Sequence, residues 1–166
     1  MTHFLGTHQN RLDAKGRVSI PAPFRAAIRA LNLGPDADAA AANGGLIVLR
    51  PSHKHACIEA WPNTVFQQLS TPLERLDLFS EQHDDMAAAL YADAFPVEAD
   101  KEGRIILPEE LVNHAGLSGA VVFMGLGRTF QIWEPAAAER RRGEARERAR
   151  ARGMTLPGVG PGTGAP

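Results

Sequence analysis

The same charged turn occurs twice in this chain, and that repeat limits the possible folds more than any other feature. The segment Asp13-Ala-Lys-Gly-Arg-Val-Ser-Ile-Pro21 returns 87 residues later as Asp100-Lys-Glu-Gly-Arg-Ile-Ile-Leu-Pro108. In each copy, Asp-x-x-Gly-Arg precedes three residues suited to a β-strand, a proline and a short helical pattern. One apolar segment follows each copy, at 46–62 after the first and at 121–135 after the second, and the two segments resemble each other. Two equivalent charged turns favour one surface used twice, which suits a long, repetitive partner such as nucleic acid.

The residues of each turn predict its local geometry. Aspartate suits the first position of a type I turn, where its side chain accepts backbone N–H groups, and glycine suits the last position. Beyond the first turn, Val18 and Ile20 share one face of a strand while Arg17 and Ser19 share the other. The arginine is therefore expected to project away from the core.

Each copy continues as a short helix and two more strands. Phe24, Ile28 and Leu31 lie at i, i+4 and i+7 and form one apolar stripe, and Leu111 with Ala115 repeats it in the second copy. Four short strands do not make a stable sheet with a covered core. The two copies are therefore expected to bury their apolar faces against each other.

Composition shifts divide the chain into two repeat domains at 7–65 and 94–138, a helical linker at 66–93 and an Arg-rich, Gly/Pro-ended flexible tail at 139–166. Helical spacings in the linker break near Pro72 and Ser80, which predicts two short helices. Residues 34–45 have no counterpart in the second copy and are expected to form a solvated loop. The Gly, Pro and Thr content from 153 onward predicts disorder.

Net charge is unevenly distributed along the chain. The total is −1, but from residue 139 onward seven arginines face three acidic residues, a net charge of +4. Residues 1–138 hold eleven basic and sixteen acidic side chains, a net charge of −5. A DNA-binding body with this balance is expected to bind weakly and with strong salt dependence as a single copy.

Other patterns narrow the class of protein. No apolar run approaches the roughly 20 residues of a membrane span, no secretory signal opens the chain, and Cys57 is the single cysteine, so a cytoplasmic protein without a membrane partner is expected. No phosphate-binding glycine loop, nucleophile elbow or Ser/His/Asp arrangement points to an enzyme. His53, His55 and Cys57 alternate but have no fourth ligand nearby, so neither a metal nor another cofactor is expected. Trp61 and Trp133 occupy matching places and are expected in the core or at a subunit interface.

Taken together, the chain resembles the MraZ family of bacterial transcriptional regulators. The resemblance is carried by Phe4-Leu-Gly6, Leu12 through Pro21 with Phe24-Arg25, the second turn through Pro108, Ala115-Gly-Leu117 and Phe130-Gln-Ile-Trp133. It implies a mainly β fold with short helices, in which two AbrB-like (SpoVT-AbrB) halves form a swapped-hairpin, double-split β-barrel. It further implies a ring-shaped homo-oligomer at the nucleoid that represses the division and cell-wall gene cluster. The family binds short G-rich direct repeats of double-stranded DNA upstream of that cluster.

For the arginines, the sequence leaves two roles open. Arg17 and Arg104 either contact phosphates and guanine edges or pair with Asp13 and Asp100 to tie each turn together. The resemblance favours the DNA contact. The aspartates themselves are better explained by the turn, because a carboxylate repels phosphate.

The predicted DNA-binding surface extends to neighbouring polar residues. Lys15 adds charge at the first turn, whereas the second turn has Lys101 beside Glu102, so the first copy is expected to contribute more. Arg11 and Asn10, and with weaker support His8, extend the surface. Two roles stay open for the arginines of the tail, a solvated helix face and a DNA tether. The alternative function is an oligomeric, protein-binding scaffold without specific DNA binding, which the acidic body favours.

Overall fold

A computed structural model of the chain describes residues 2–34 and 44–157, and its elements follow the predicted order. The first half contains β1 (Thr7–Arg11), β2 (Arg17–Ser19), α1 (Ala22–Leu33), β3 (Leu46–Pro51) and β4 (Ile58–Pro62). The linker contains α2 (Asn63–Gln67), α3 (Ser70–Glu74), α4 (Glu81–Ala87) and a π-helical turn (Ala88–Ala92). The second half contains β5 (Phe95–Glu98), β6 (Arg104–Ile106), α5 (Glu109–His114), β7 (Ala120–Gly125) and β8 (Phe130–Trp133), and α6 (Pro135–Ala151) follows.

Strands of both halves are interleaved within one antiparallel sheet. Its order is β1-β7-β8-β4-β3-β5, while β2 and β6 pair with each other in a separate two-stranded ribbon. The pairs β1–β7, β8–β4, β3–β5 and β2–β6 each join one half to the other. Counted from opposite edges of the sheet, matching places are taken by β1 and β5, by β7 and β3, and by β8 and β4. Neither half therefore completes a sheet with its own strands.

The mainly β fold with short helices is confirmed, but a closed barrel is not found among the described residues. The six-stranded sheet ends at β1 and β5, which do not pair with each other. The ribbon cannot extend the ladder far, because Pro21 and Pro108 follow its strands and lack the N–H that a ladder needs. The swapped-hairpin relation of the two halves stays a prediction.

The core draws on both halves and on the predicted helix stripes. Phe24 and Ile28 of α1 are buried, as are Leu111 of α5 and the neighbouring Ala115. The Phe24 ring meets Phe4 edge-on at 5.1 Å and also packs against Phe123 and Phe130. Full burial of such side chains contributes about 1.5–3 kcal/mol each. This shared core holds the ribbon against the sheet.

The linker differs from its prediction of two helices. It forms three short helices and the π-helical turn. The predicted break near Ser80 is present, because Ser80 is the N-cap residue just before α4 and its hydroxyl accepts the His83 N–H at 3.1 Å. Pro72 lies within α3, in the first turn of the helix, where its missing N–H removes no intrahelical bond.

The chain divides into two compact units, residues 1–135 and residues 136–166. The second unit begins in α6, a single helix of 17 residues. Most of the predicted solvated loop, residues 35–43, and most of the predicted disordered end, residues 158–166, lie outside the described residues. Within the described ranges, no helix is both long and apolar enough to cross a membrane.

Candidate nucleic-acid interface

The first turn is organised by one carboxylate. Asp13 Oδ1 accepts the backbone N–H groups of Lys15 at 2.9 Å and Arg17 at 2.8 Å, and Oδ2 accepts Nε of Arg17 at 2.7 Å. The Gly16 N–H donates to the Asp13 carbonyl at 3.1 Å, and Gly16 has φ +81°, a conformation that side chains disfavour. The aspartate and glycine roles predicted for this turn are confirmed.

The second turn repeats this geometry. Asp100 Oδ1 accepts the N–H groups of Glu102 and Arg104, each at 2.9 Å, and Oδ2 accepts Nε of Arg104 at 3.0 Å. Gly103 has φ +80°. The two copies of the motif therefore fold into the same turn, and each fixes the base of its arginine.

The β2–β6 ribbon brings the two arginines together. Val18 pairs with Ile105 at its centre, Arg17 pairs with Ile106, and Ser19 pairs with Arg104. Ile20 donates its N–H to the Gly103 carbonyl, and Leu107 donates to the Gly16 carbonyl, both at 2.8 Å. The first turn is thus bonded to the residue that follows β6, and the second turn to the residue that follows β2.

Both arginines lie on the exposed face of the ribbon. Val18 and Ile105 are buried, while the side chains of Arg17 and Arg104 are 43% and 44% exposed. A shallow groove of about 340 Å³ lies between the turns and is lined by Arg17, Val97, Glu98, Asp100, Arg104, Ile105 and Ile106. The arginines are therefore ion-paired with the turn aspartates and partly solvent-accessible at the same time, so the ion-pair role is present and contact with DNA stays a prediction.

The two turns differ in the free hydrogen-bonding capacity of their arginines. In the described part of the chain, Nη1 and Nη2 of Arg17 have no hydrogen-bond partner. Nη2 of Arg104 lies 3.4 Å from Oε2 of Glu102. The first turn therefore presents the more available guanidinium, and the Lys15 side chain beside it is exposed.

The remaining predicted residues do not share one surface. Lys101 is exposed near the tip of the second turn. Asn10 donates from Nδ2 to the Ser19 carbonyl at 2.6 Å, which ties β1 to the ribbon. Arg11 follows Asn10 on β1, so it points to the opposite face of that strand. His8 is half-buried, with its ring against Phe24 at 5.1 Å.

Arg25 supports the second turn, a role that sequence reasoning missed. Its Nη1 donates to the Glu102 carbonyl at 2.7 Å, 77 positions away in sequence. A Cβ added at Gly103 would collide with this guanidinium. Arg25 extends from the first turn of α1, so the helix that follows one copy of the motif braces the other copy. The motif contains the Phe-Arg pair, but nothing in its spacing names a partner so distant.

The turn geometry lowers the pKa of both aspartates. For Asp13, the main causes are the hydrogen bonds from the Arg17 backbone and side chain. For Asp100, the main cause is the backbone hydrogen bond from Arg104, and its side-chain bond adds to the effect. Both turns therefore keep a carboxylate whose charge partly offsets that of the adjacent arginine.

The segment 53–57 is a bend and not a strand, so its histidines and cysteine do not share a strand face. His53 Nε2 lies 2.8 Å from Nη2 of the buried Arg50, and the His55 ring packs against Trp133 at 5.6 Å. Trp133 is buried, as predicted, and Trp61 is half-buried beside Phe66. Across the described ranges, no three metal-ligating side chains are grouped.

Comparisons with known proteins match both halves of the chain. The sequence model of the family described as "MraZ protein, putative antitoxin-like" matches residues 3–32 and 90–150. A protein named transcriptional regulator MraZ from Gluconacetobacter diazotrophicus is 66% identical over 160 residues, covering 96% of this chain and 95% of that protein. Proteins of the same name from Gluconobacter oxydans and Pelagibacter ubique are 60% and 38% identical, covering 90% and 88% of this chain and 87% of each relative.

These matches include the first turn, the second turn and most of α6. An antiparallel β protein with a doubled arginine turn, whose relatives are named transcriptional regulators, falls in that class of protein. Within that class, the chain belongs to the MraZ family.

Proposed function

We propose that this protein is a sequence-specific regulator that binds double-stranded DNA through the exposed face of the β2–β6 ribbon. It works in the cytoplasm at the nucleoid and represses the division and cell-wall gene cluster, with short direct repeats upstream of its own operon as the operator. The observation that carries the proposal is the pair Arg17 and Arg104, which project from one face of a two-stranded ribbon.

The size of the ribbon supports this role. The major groove of B-DNA is about 12 Å wide and admits a two-stranded β-ribbon. Arg17 and Arg104 are diagonal neighbours across the ribbon, and residues in that relation lie about 7–8 Å apart. Two arginines that extend from residues at that spacing can reach one segment of groove, where each can donate two parallel bonds to phosphate or to a guanine edge.

The turn aspartates also support the proposal that the ribbon face binds DNA, because they orient its arginines. Each carboxylate holds the Nε side of its arginine and does not bond its terminal nitrogens, although Nη2 of Arg104 lies 3.4 Å from Glu102. Fixing a long side chain before binding reduces the entropy lost on binding. The aspartate charge lowers the affinity of a single turn, so one protomer is a weak DNA ligand.

A ring-shaped homo-oligomer overcomes this weakness. It repeats the ribbon at fixed spacing, so direct repeats in the operator are bound at high effective concentration. Affinity should then rise steeply with the number of correctly spaced repeats and fall steeply with salt. Equal affinity for one repeat and for three would rule out this multivalent mode and leave a single-site regulator.

The proposal is tested by titrating labelled DNA from upstream of the protein's own gene against the full chain and two single variants. Arg17→Ala should lose at least about tenfold in affinity, as expected when a bidentate contact is removed. Arg75→Ala removes the same charge from an exposed position after α3 and should bind like the unaltered protein. Size-exclusion chromatography checks that both keep the same oligomeric state. Similar affinity of all three proteins would contradict the proposal.

The alternative, a protein-binding scaffold, is favoured by one observation. Phe79 is 90% exposed and the adjacent Leu78 is 62% exposed, in a body with net negative charge. If the ribbon binds DNA as proposed, replacing Leu78 and Phe79 by serine should leave DNA binding by the ribbon face unchanged. If the protein binds DNA from upstream of its own gene no more tightly than unrelated DNA, the scaffold function is favoured.

A further inference from the structure

We propose that α6 is a second DNA-binding element, which binds the phosphates of duplex DNA without regard to sequence. This site goes beyond the proposed function, because it neither uses the ribbon nor reads an operator. From residue 139 to residue 152 the chain carries seven arginines and three glutamates, a net charge of +4. Pro135–Ala151 is one continuous helix, so these charges have fixed angular positions.

Six of the arginines form two separate stripes along the helix. Arg142, Arg146 and Arg150 repeat every four residues, about 6 Å apart along the axis. The second stripe contains Arg141, Arg148 and Arg152, the last just past the helix, where its N–H still bonds the Arg148 carbonyl at 3.0 Å. At about 100° per residue, the stripes lie roughly 140° apart around the axis.

The acidic residues do not neutralise these stripes. Glu144 and Glu147 lie on the remaining side of the helix, and Glu139, three residues before Arg142, is the one glutamate of α6 on an arginine stripe. The one ion pair found within the described part of α6 joins Arg148 Nη2 to Glu144 Oε2 at 3.9 Å, with both side chains more than half exposed. Exposed pairs of this kind contribute little. Arg142, Arg146 and Arg150 are all exposed to solvent.

The chemistry of the helix selects duplex DNA among polyanions. Its only apolar residues are Pro135 and alanines, so it lacks the apolar face with which a helix lies in a membrane surface. It has no aromatic side chain on which single-stranded bases could stack. A helix about 10–12 Å across fits the major groove, and two stripes of arginine then face the phosphates of both groove walls.

The test measures binding of the full chain to a short duplex of random sequence over a range of salt concentrations. The variant Arg142→Gln/Arg146→Gln/Arg150→Gln should bind about tenfold more weakly at low salt, and its salt slope should fall by about 2.7, because three phosphates are no longer neutralised. The matched control Lys54→Gln/Arg75→Gln/Arg128→Gln removes three charges outside α6 and should change affinity less than about threefold. Equal weakening by both variants would overturn the proposal, because net charge alone would then explain it.

Two further arms keep the result from depending on a folding defect or on the ribbon. Glu144→Gln/Glu147→Gln should increase affinity for the random duplex by about threefold, since it removes charge that repels phosphate. Arg17→Ala should bind the random duplex as the unaltered protein does. Absence of the gain, loss of random-duplex binding in Arg17→Ala, or stronger capture by phosphatidylserine vesicles than by DNA would each overturn the proposal. The ribbon would keep its proposed function in the first and third cases.

Discussion

Asp13 and Asp100 each perform two tasks with one carboxylate. One oxygen accepts two backbone N–H groups and so closes the turn, and the other holds Nε of the arginine four residues on. The arginine therefore leaves the turn in a set direction with its side chain partly exposed. A lysine at that position would keep the charge but lose the forked geometry that allows both contacts.

The two arginines are expected to differ in their contribution to DNA binding. Arg17→Ala should weaken operator binding more than Arg104→Ala, because Nη2 of Arg104 already lies 3.4 Å from Oε2 of Glu102. Glu102→Gln should strengthen binding by releasing Arg104. Affinities of the three variants for one operator fragment check this ordering, and equal losses from the two alanine changes would show that Glu102 has no such effect.

Acidic pH is expected to weaken both turns. The pKa values of Asp13 and Asp100 are lowered in the folded chain, mainly by hydrogen bonds from Arg17 and Arg104. Their stabilising effect is therefore complete above the ordinary aspartate pKa and is lost as pH falls through the lowered values. Urea unfolding should show unaltered protein more stable than Asp13→Asn/Asp100→Asn near neutral pH, with the difference vanishing at acidic pH. A constant difference would mean that the charge of these carboxylates does not stabilise the turns.

The turns also depend on glycine in a backbone conformation that other residues disfavour. Gly16→Ala and Gly103→Ala should each lower the free energy of unfolding by about 1–2 kcal/mol, because both positions have φ near +80°. At Gly103 the added methyl group would also displace Arg25 from the Glu102 carbonyl. Gly143→Ala is the matched control, since nothing surrounds that position within 4 Å and the residue lies inside a helix. Urea unfolding of the three variants measures the difference. Losses at Gly16 and Gly103 no larger than at Gly143 would show that the turns tolerate a side chain.

Local patterns predicted the elements well, because their causes lie within a few residues. The alternation after each turn predicted the buried Val18 and the exposed Arg17, and the i, i+4 stripe predicted the buried face of α1. The Asp and Gly positions predicted the turn itself. These features follow from side-chain chemistry and the strand and helix periods alone.

Contacts between distant segments were not predictable in the same way. The pairing of β2 with β6 and the bond from Arg25 to Glu102 join positions more than 70 residues apart, and no local period encodes them. The opposite orientation of Asn10 and Arg11 could have been read from strand alternation, which places neighbours on opposite faces. The sheet stays open because the β2–β6 ribbon ends early. Pro21 and Pro108 indicate that end only once the pairing of β2 with β6 is known.

Interleaved strands make the two halves dependent on each other. A fragment of residues 1–93 contains β1 to β4, but β7, β8, β5 and β6 of the other half supply their missing partners. It should therefore lack cooperative unfolding by circular dichroism. Mixing it with residues 94–166 should restore a folded protein, because the pairing surfaces are complementary. A fragment that unfolds cooperatively alone would show that each half is a separate domain.

At the scale of the whole molecule, two regions are proposed to bind DNA, the ribbon face and α6, while residues 1–138 have a net charge of −5. Under this proposal, that negative charge keeps non-specific attraction by the rest of the chain low. The ribbon is proposed to find the operator, and α6 to hold the protein on any duplex. Under this account, a change in one region should alter either sequence preference or general affinity, but not both.

Hydrogen exchange of the full chain with and without operator DNA tests the central claim most directly. The ribbon account predicts that operator DNA slows amide exchange at 13–19 and 100–106, while random duplex slows exchange mainly in α6. If operator DNA slows amide exchange only in α6 and leaves exchange in both turns unchanged, the claim that the paired turns bind DNA is contradicted.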